Sequence, residues 1–494
     1  HYLKFKMSIM KDSKQSKSKS NKNTRRKFLK NSAIAAGGVM IVPRHVLGGV
    51  GYTPPSDKLN IAYVAVGGRG ASHVGATSSQ NMIAFCDVSD EMAAKTYKQS
   101  PKVPRYKDFR LMLEKEKDIE AVMIATPDHT HATIAMAAMS LDKHVYVEKP
   151  LTHNIYEARV LTETAAKRKL VTQMGNQGAS LDGVRDICEW IDAGVIGKVT
   201  RVHCWTNRPI WPQGVPTPEG KHDIPAGLDW DLWLGPAKMR DYNPAYLPFK
   251  WRGWWDYGTG ALGDMACHVM DPPFRALKLG YPIAVEASTV QPYISDFYEA
   301  DYSESCPPAS KVHIYFPERG EMPPVEVIWY DGGILPPRPQ ELGPNEPMGN
   351  WDGGVIFEGS EGKIMCEVYG KNPRLLPTKL MKDFKRPEQT IPRVRGSHQM
   401  QWVDAVKAND MKAVSSPFEY AGPFTEMILM GNLGIRSYDY KVLKPGKQPG
   451  YWAPYNYPGR IRLEWDGENM QITNFDKANE FVKREYREGW TLEY

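Results

Sequence analysis

Lys149 stands between Glu148 and Pro150 at the end of an apolar run, and far downstream Asp264 and His268 lie four residues apart. A lysine fixed between an apolar strand and a proline turn can polarise a carbinol oxygen, and burial lowers such a pKa toward working pH. An imidazole with a carboxylate one helical turn away, on the same helix face, suits removal of a hydroxyl proton. Together these groups could oxidise an alcohol. Each also has a plain structural reading: Lys149 as a surface partner of Glu148, Asp264 and His268 as an ordinary helix-face pair.

A third element precedes them. Aligned to G-x-G-x-x-G, the chain reads Ala65-Val66-Gly67-Gly68-Arg69-Gly70, with Ala in place of the first glycine. Gly67 would let the backbone approach a pyrophosphate, and Gly70 would let helix and strand pack closely. Phosphates would sit at the helix N-terminus, where free N–H groups favour anions. Asp87 lies 17 residues past Gly70. A carboxylate there can accept ribose hydroxyls and repels a 2′-phosphate, so NAD is expected rather than NADP; a helix-capping role could coexist. Thr126-Pro127-Asp128-His129-Thr130-His131 follows another strand, where a cofactor crevice should open, although Asp128 and Thr130 are also good helix caps. Asn176 and Gln177 follow a further strand and could bond a carboxamide or a substrate.

The elements that must position these groups alternate. Leu59–Val66, Met82–Cys86, Ile119–Ala125, Val145–Val147 and Leu170–Met174 read as buried strands; Tyr106–Lys117, Ala132–Ser140 and Ile155–Lys169 read as helices. That order argues for right-handed βαβ units and a parallel sheet. After Gly178 the pattern changes. Residues 181–193, Asp264–Leu277, Met400–Ala408 and Phe424–Arg436 look helical, Lys311–Phe316 and Val325–Tyr330 alternate like strands, and Tyr293–Pro308 and Pro336–Gly354 are turn-rich insertions. The expected organisation is a leader and linker over 1–56, a Rossmann domain over 57–178, and an α+β domain with an open, largely antiparallel sheet over 179–494.

The glycine turn, Asp87, Thr126–His131, Glu148-Lys149-Pro150, Gly175-Asn176-Gln177 and Asp264-x-x-x-His268, in this order, resemble the glucose–fructose oxidoreductase / inositol dehydrogenase / MocA family. The resemblance runs from about Lys58 to the C-terminus. It implies a Rossmann domain followed by an open sheet over the nicotinamide, Lys149 and His268 as catalytic residues with Asp264 assisting, and a cis Pro150. It implies cofactor contacts from Gly67, Gly68, Arg69, Gly70, Asp87, Thr126, Pro127, His131, Glu148, Lys149 and Asn176. It implies a sugar or glycoside as substrate.

Seven tryptophans fall between Trp205 and Trp255. Indole faces suit the C–H faces of sugars, and most of the seven are expected in the core. Trp251, Arg252 and Tyr257 are the residues expected to touch substrate, with Arg208 a further polar contact. Six cysteines without C-x-x-C spacing read as buried thiols, and Cys267-His268 has no companion pair to make a metal site.

Composition narrows the partners. Of 494 residues, 41% are apolar and 24% charged, ordinary for a globular protein. The net charge of +6 is local: residues 1–30 hold eleven Lys/Arg against Asp12, leaving 52 basic and 56 acidic residues elsewhere. A mildly acidic body argues against nucleic acid as a partner. Thr24-Arg25-Arg26-Lys27-Phe28-Leu29-Lys30 and the apolar Ser32–Val42 resemble a twin-arginine export signal, cleaved within Val42–Tyr52. The apolar stretch is too short to span a bilayer, which takes about 20 residues. Periplasmic location and tightly held NAD are therefore expected, and the exposed face of the second-domain sheet is expected to mediate homo-oligomerisation. The function classes left open are net sugar oxidation, redox-neutral glycoside cleavage through a keto sugar, and cofactor-holding sugar binding without turnover.

Overall fold

The computed structural model describes residues 54–450 and 452–494, so the twin-arginine segment and its cleavage region lie outside the described residues. The first half builds β1 (Asn60–Val64), α1 (Gly68–Ala76), β2 (Asn81–Cys86), α2 (Asp90–Gln99), β3 (Arg105–Tyr106), α3 (Phe109–Lys115), β4 (Ala121–Ile124), α4 (His131–Ser140), β5 (His144–Val147), α5 (Ile155–Arg168) and β6 (Thr172–Met174). These strands form one parallel six-stranded sheet in the order β3-β2-β1-β4-β5-β6. Its central strands β1, β4 and β5 are buried almost throughout, as a sheet covered on both sides requires. The chain turns one way from β1 to β2 and the other way at β4, so a crevice opens at the carboxyl ends of β1 and β4.

The second half continues with α6 (Asp182–Asp192), β7 (Val199–Thr206), α7 (Trp230–Leu234), α8 (Gly260–Val269), α9 (Asp271–Ala276), β8 (Ala284–Thr289) and a hairpin of β9 (Tyr293–Ser295) and β10 (Tyr298–Glu299). It then adds β11 (Ser310–Phe316), β12 (Val325–Tyr330), β13 (Gly353–Gly359), β14 (Lys363–Glu367) and β15 (Arg374–Leu376). The last elements are α10 (His398–Ala408), α11 (Phe418–Tyr438), the short pair β16 (Val442–Leu443) and β17 (Tyr455–Asn456), β18 (Leu463–Asp466) and β19 (Gln471–Ile472). A nine-stranded sheet runs β15-β14-β13-β7-β12-β11-β8-β18-β19. Among the described residues its neighbours pair antiparallel except β7 and β12, which run parallel. A Rossmann sheet followed by a mostly antiparallel second sheet is the architecture the sequence led us to expect.

Three details differ, each for a physical reason. The helix expected over Asp264–Leu277 is two, because Pro272 and Pro273 lack the N–H groups a continuous helix needs. Its first part starts at Gly260, which places Asp264 and His268 well inside α8. The helix α11 begins at Phe418 and runs through Pro423, because Phe418 and Ala421 are buried in the core and packing outweighs one lost hydrogen bond. Trp402, Val403 and Val406 of α10 cover Ile61, Tyr63, Phe85 and Met123 on one face of the parallel sheet, so a segment late in the chain completes the first core.

Candidate active site

The glycine turn is shaped by its neighbours. A Cβ on Gly70 would stand 1.9 Å from the Ala65 carbonyl oxygen, and one on Gly67 would stand 2.5 Å from that of Met92 on α2. Gly67 is thus demanded by the approach of α2. Gly68, with φ +45°, has no atom within 4 Å of its Cβ position. Ala65 carries φ +63°, a left-handed conformation that glycine would adopt without strain. Asp87 ties the turn to β2: its Oδ2 accepts the N–H groups of Val66 (2.9 Å) and Gly67 (3.3 Å), and its Oδ1 that of Ser89 (2.9 Å). Burial raises the pKa of this carboxyl, and the three backbone donors oppose that rise. Ser89, not Asp87, caps α2. An open glycine turn at a helix N-terminus, with a carboxylate beside it and a cleft of about 790 Å³ below, fits a dinucleotide.

The reacting end gathers around Lys149, whose bond to Pro150 is cis. Its Nζ donates to the Asp264 backbone carbonyl (2.7 Å) and to Asp264 Oδ1 (2.9 Å), and Arg252 Nε donates to the same Oδ1 (3.0 Å). Burial alone would lower the lysine's pKa, but the Asp264 carboxylate outweighs it and the net shift is upward. The expected depression is therefore absent, and Lys149 is an ammonium. Burial would raise the Asp264 carboxyl; Lys149 and Arg252 overcome it and hold the group well below the usual carboxylate range. His268 is pushed down to about 3, by burial first and then by Lys149, so its imidazole is neutral at working pH. Its Nδ1 is buried without a hydrogen-bond partner.

Glu148 orders the floor. Arg69 Nε (3.2 Å), His73 Nε2 (2.9 Å) and Gln177 Nε2 (2.9 Å) converge on its Oε1. Burial would raise this carboxyl; His73, Arg69 and Lys149 together hold it below its ordinary range. A Cβ at Gly175 would stand 2.6 Å from the same oxygen.

Gly67, Gly68, Arg69, Asp87, Thr126, Pro127, Glu148, Lys149, Trp251, Arg252, Asp264 and His268 all border this one cleft. Four other candidates do not. Gly70 sits beneath the turn, in the packing role expected of it. His131 is buried with its two ring nitrogens 2.8 Å from the carbonyl oxygens of Thr126 and Pro150, so it fixes two cleft segments to each other without reaching the cleft. Asn176 is buried and donates to Asp271 Oδ1 (3.2 Å), leaving Gln177 as the residue of that turn that reaches the cleft. Tyr257 is buried among Trp233, Tyr246 and Trp254 and does not line the cleft. Of the seven clustered tryptophans, all buried, Trp211, Trp233 and Trp251 line the cleft. All six cysteines are buried free thiols.

The sequence reading missed two features. Tyr369, in the Val368–Gly370 turn after β14, lines the cleft with its ring centre 4.7 Å from that of His268, and holds φ +66°. Strain at a non-glycine residue facing a cleft is a functional signal, but nothing in the sequence exposes it. The second is a clasp. Leu228 bridges to Ser89, Asp229 N–H donates to the Val88 carbonyl (2.9 Å), and Asp90 N–H (3.1 Å) and Lys107 Nζ (2.7 Å) donate to the Gly227 carbonyl. Pro225, Ala226, Leu228, Leu232 and Trp233 thereby border the cleft beside Asp87. Trp490, packed on Phe109 and Arg110, joins them from the C-terminal tail.

Residues 59–176 match an oxidoreductase family described as an NAD-binding Rossmann fold, and residues 184–293 match the C-terminal alpha/beta domain of the same family. Levoglucosan dehydrogenase of Pseudarthrobacter phenanthrenivorans is 24% identical over 231 residues, 44% of this chain and 50% of that protein. A glycosyl hydrolase family 109 protein of Shewanella pealeana is 27% identical over 205 residues, 36% of this chain and 44% of that protein. The chain thus spans about half the length of these curated relatives. The solved levoglucosan dehydrogenase complexed with NADH superposes with a TM-score of 0.51 at 18% identity, covering 76% of this chain and 96% of that one, which is a likeness of fold.

Proposed function

We propose that the chain is an oxidoreductase of the Gfo/Idh/MocA family that oxidises a carbinol carbon of a sugar or glycoside with NAD held tightly in the cleft. One observation carries this reading: Lys149, bonded to Asp264, and His268, one turn along the same helix as Asp264, line the one cleft that the glycine turn borders. Bound NAD supplies the hydride acceptor. The substrate hydroxyl loses its proton to His268 at Nε2, since Nδ1 is sealed away. The Lys149 ammonium hydrogen-bonds the oxygen as negative charge grows on it, and the carbon–hydrogen pair leaves as the carbonyl forms. Asp264 keeps that ammonium aimed, and Arg252 shares the carboxylate.

Tight retention of the cofactor is supported by the clasp of residues 225–233 and Trp490 over the end of the cleft near Asp87. It also accords with twin-arginine export to the periplasm, read from Thr24–Val42, since a folded protein can carry its cofactor out. Net oxidation then needs a second substrate to return the hydride. A second reading, favoured by the likeness to the glycosyl hydrolase, is cleavage of a glycoside through a transient keto sugar whose carbonyl acidifies the adjacent C–H. The open face of the nine-stranded sheet is the surface we propose for homo-oligomer contacts.

The test is to denature the purified protein, assay the supernatant for nicotinamide, and incubate native protein with a glycoside panel and no added NAD. Stoichiometric nicotinamide, with products two hydrogens lighter or lacking an aglycone, is expected. No nicotinamide, and no product even with excess NAD, contradicts the proposal.

A further inference from the structure

We infer that the mouth of the cleft carries a second subsite, built on Trp351 and Arg208, which takes the aglycone or second sugar ring of a glycoside. The inference rests on sugar or glycoside chemistry at Lys149 and His268. Trp351 is 74% exposed, although burying an indole is favourable. A rigid turn holds it out. Asn350 N–H donates to the Gly353 carbonyl (2.9 Å), and Asn350 Oδ1 accepts the N–H groups of Asp352 (3.0 Å) and Gly353 (3.1 Å).

That turn is pinned to the end of β7. The Asp352 carbonyl accepts from the Asn207 N–H (3.0 Å) and from Thr206 Oγ1 (2.9 Å). Arg208 Nη1 donates to Asp352 Oδ1 (2.7 Å), and its guanidinium carbon lies 5.5 Å from the centre of the Trp351 ring. Arg208 also lines the cleft, so one side chain joins the exposed indole to the reacting end. Apolar surface continues around the mouth: Ile210 and Phe249 line the cleft at 60% and 45% exposure. Arg252, bonded to Asp264, lies 4.3 Å from the Phe249 ring centre.

A sugar or aryl ring presents apolar faces and a rim of hydroxyls. Aromatic faces beside a guanidinium–carboxylate pair meet both demands. A single hexose reacting at Lys149 and His268 has no need of an indole placed beyond Arg208, whereas a substituent on that hexose does.

The test compares a free hexose with its aryl and disaccharide glycosides on cofactor-loaded wild type, Trp351→Ala and Trp351→Phe. The ratio of glycoside to free-sugar kcat/KM is expected to exceed one in wild type. It should fall about tenfold in Trp351→Ala, through KM, and recover mostly in Trp351→Phe. An unchanged ratio in Trp351→Ala overturns the subsite. A fall in oligomer mass by light scattering, with the ratio unchanged, assigns Trp351 to subunit contact and also overturns it. If neither sugar turns over in wild type, the oxidoreductase reading fails by itself. Calorimetric binding of the glycoside to wild type and Trp351→Ala then still decides: an affinity lost about tenfold upholds the subsite, and an equal affinity refutes it.

Discussion

The dinucleotide end of the cleft and its substrate end are built by opposite means. The first is mostly backbone: a left-handed Ala65, glycines that admit Met92 and Ala65 at close range, and a carboxylate binding three N–H groups. The second is mostly side chains, brought from Lys149, Arg208, Arg252, Asp264, His268 and Tyr369. Backbone sites are specified by local sequence and fail by steric conflict. Side-chain sites are specified by tertiary folding and fail by loss of chemistry with the fold intact. Substitutions at the two ends should therefore differ in kind.

The largest effect is expected at Lys149. Lys149→Ala should lower kcat by about a thousandfold, while the urea midpoint changes little because Arg252 still neutralises Asp264. A stopped-flow assay and a denaturation curve on one preparation check both halves. Next comes Gly70→Ala, whose Cβ falls 1.9 Å from a backbone oxygen. It should cost about 1–3 kcal/mol in stability and weaken NAD binding. Equal stability of Gly70→Ala and wild type would erase the distinction between the ends.

His268 sharpens the comparison through pH. Its folded pKa of about 3 lies below the unfolded value of about 6.5, so acid protonates the unfolded chain first. Stability from this group is whole above pH about 6.5 and is lost as pH falls toward 3. Stability measured against pH should flatten over that window in His268→Asn. In wild type, kcat/KM should show no histidine inflection near pH 6.5. The smallest effect is a gain: Ala65→Gly should stabilise by about 1 kcal/mol by relieving the left-handed alanine, read as a raised urea midpoint.

The same division explains what the sequence could disclose. Five of the six strands of the first sheet were legible because each is a short apolar run closed by a turn; the edge strand β3 was not, because Arg105–Tyr106 is two residues long with no apolar run, and Tyr106 was read into the following helix. Lys149, Asp264 and His268 were legible as residue types at suggestive spacing. Tyr369 and the 225–233 clasp were not, because each reaches the cleft only through pairings between segments far apart in the chain. His131 and Tyr257 show the converse: near neighbours in sequence of cleft-lining residues, they are themselves buried away from the cleft. The direction of the Lys149 pKa was missed because burial was weighed without the carboxylate that meets it.

The most direct test of a single centre shared by Lys149 and His268 follows deuterium from a carbon-labelled sugar into the retained nicotinamide during one turnover. The label should move to the nicotinamide in wild type and be lost in both Lys149→Ala and His268→Ala, with cofactor content unchanged. Undiminished transfer in either variant would contradict the account.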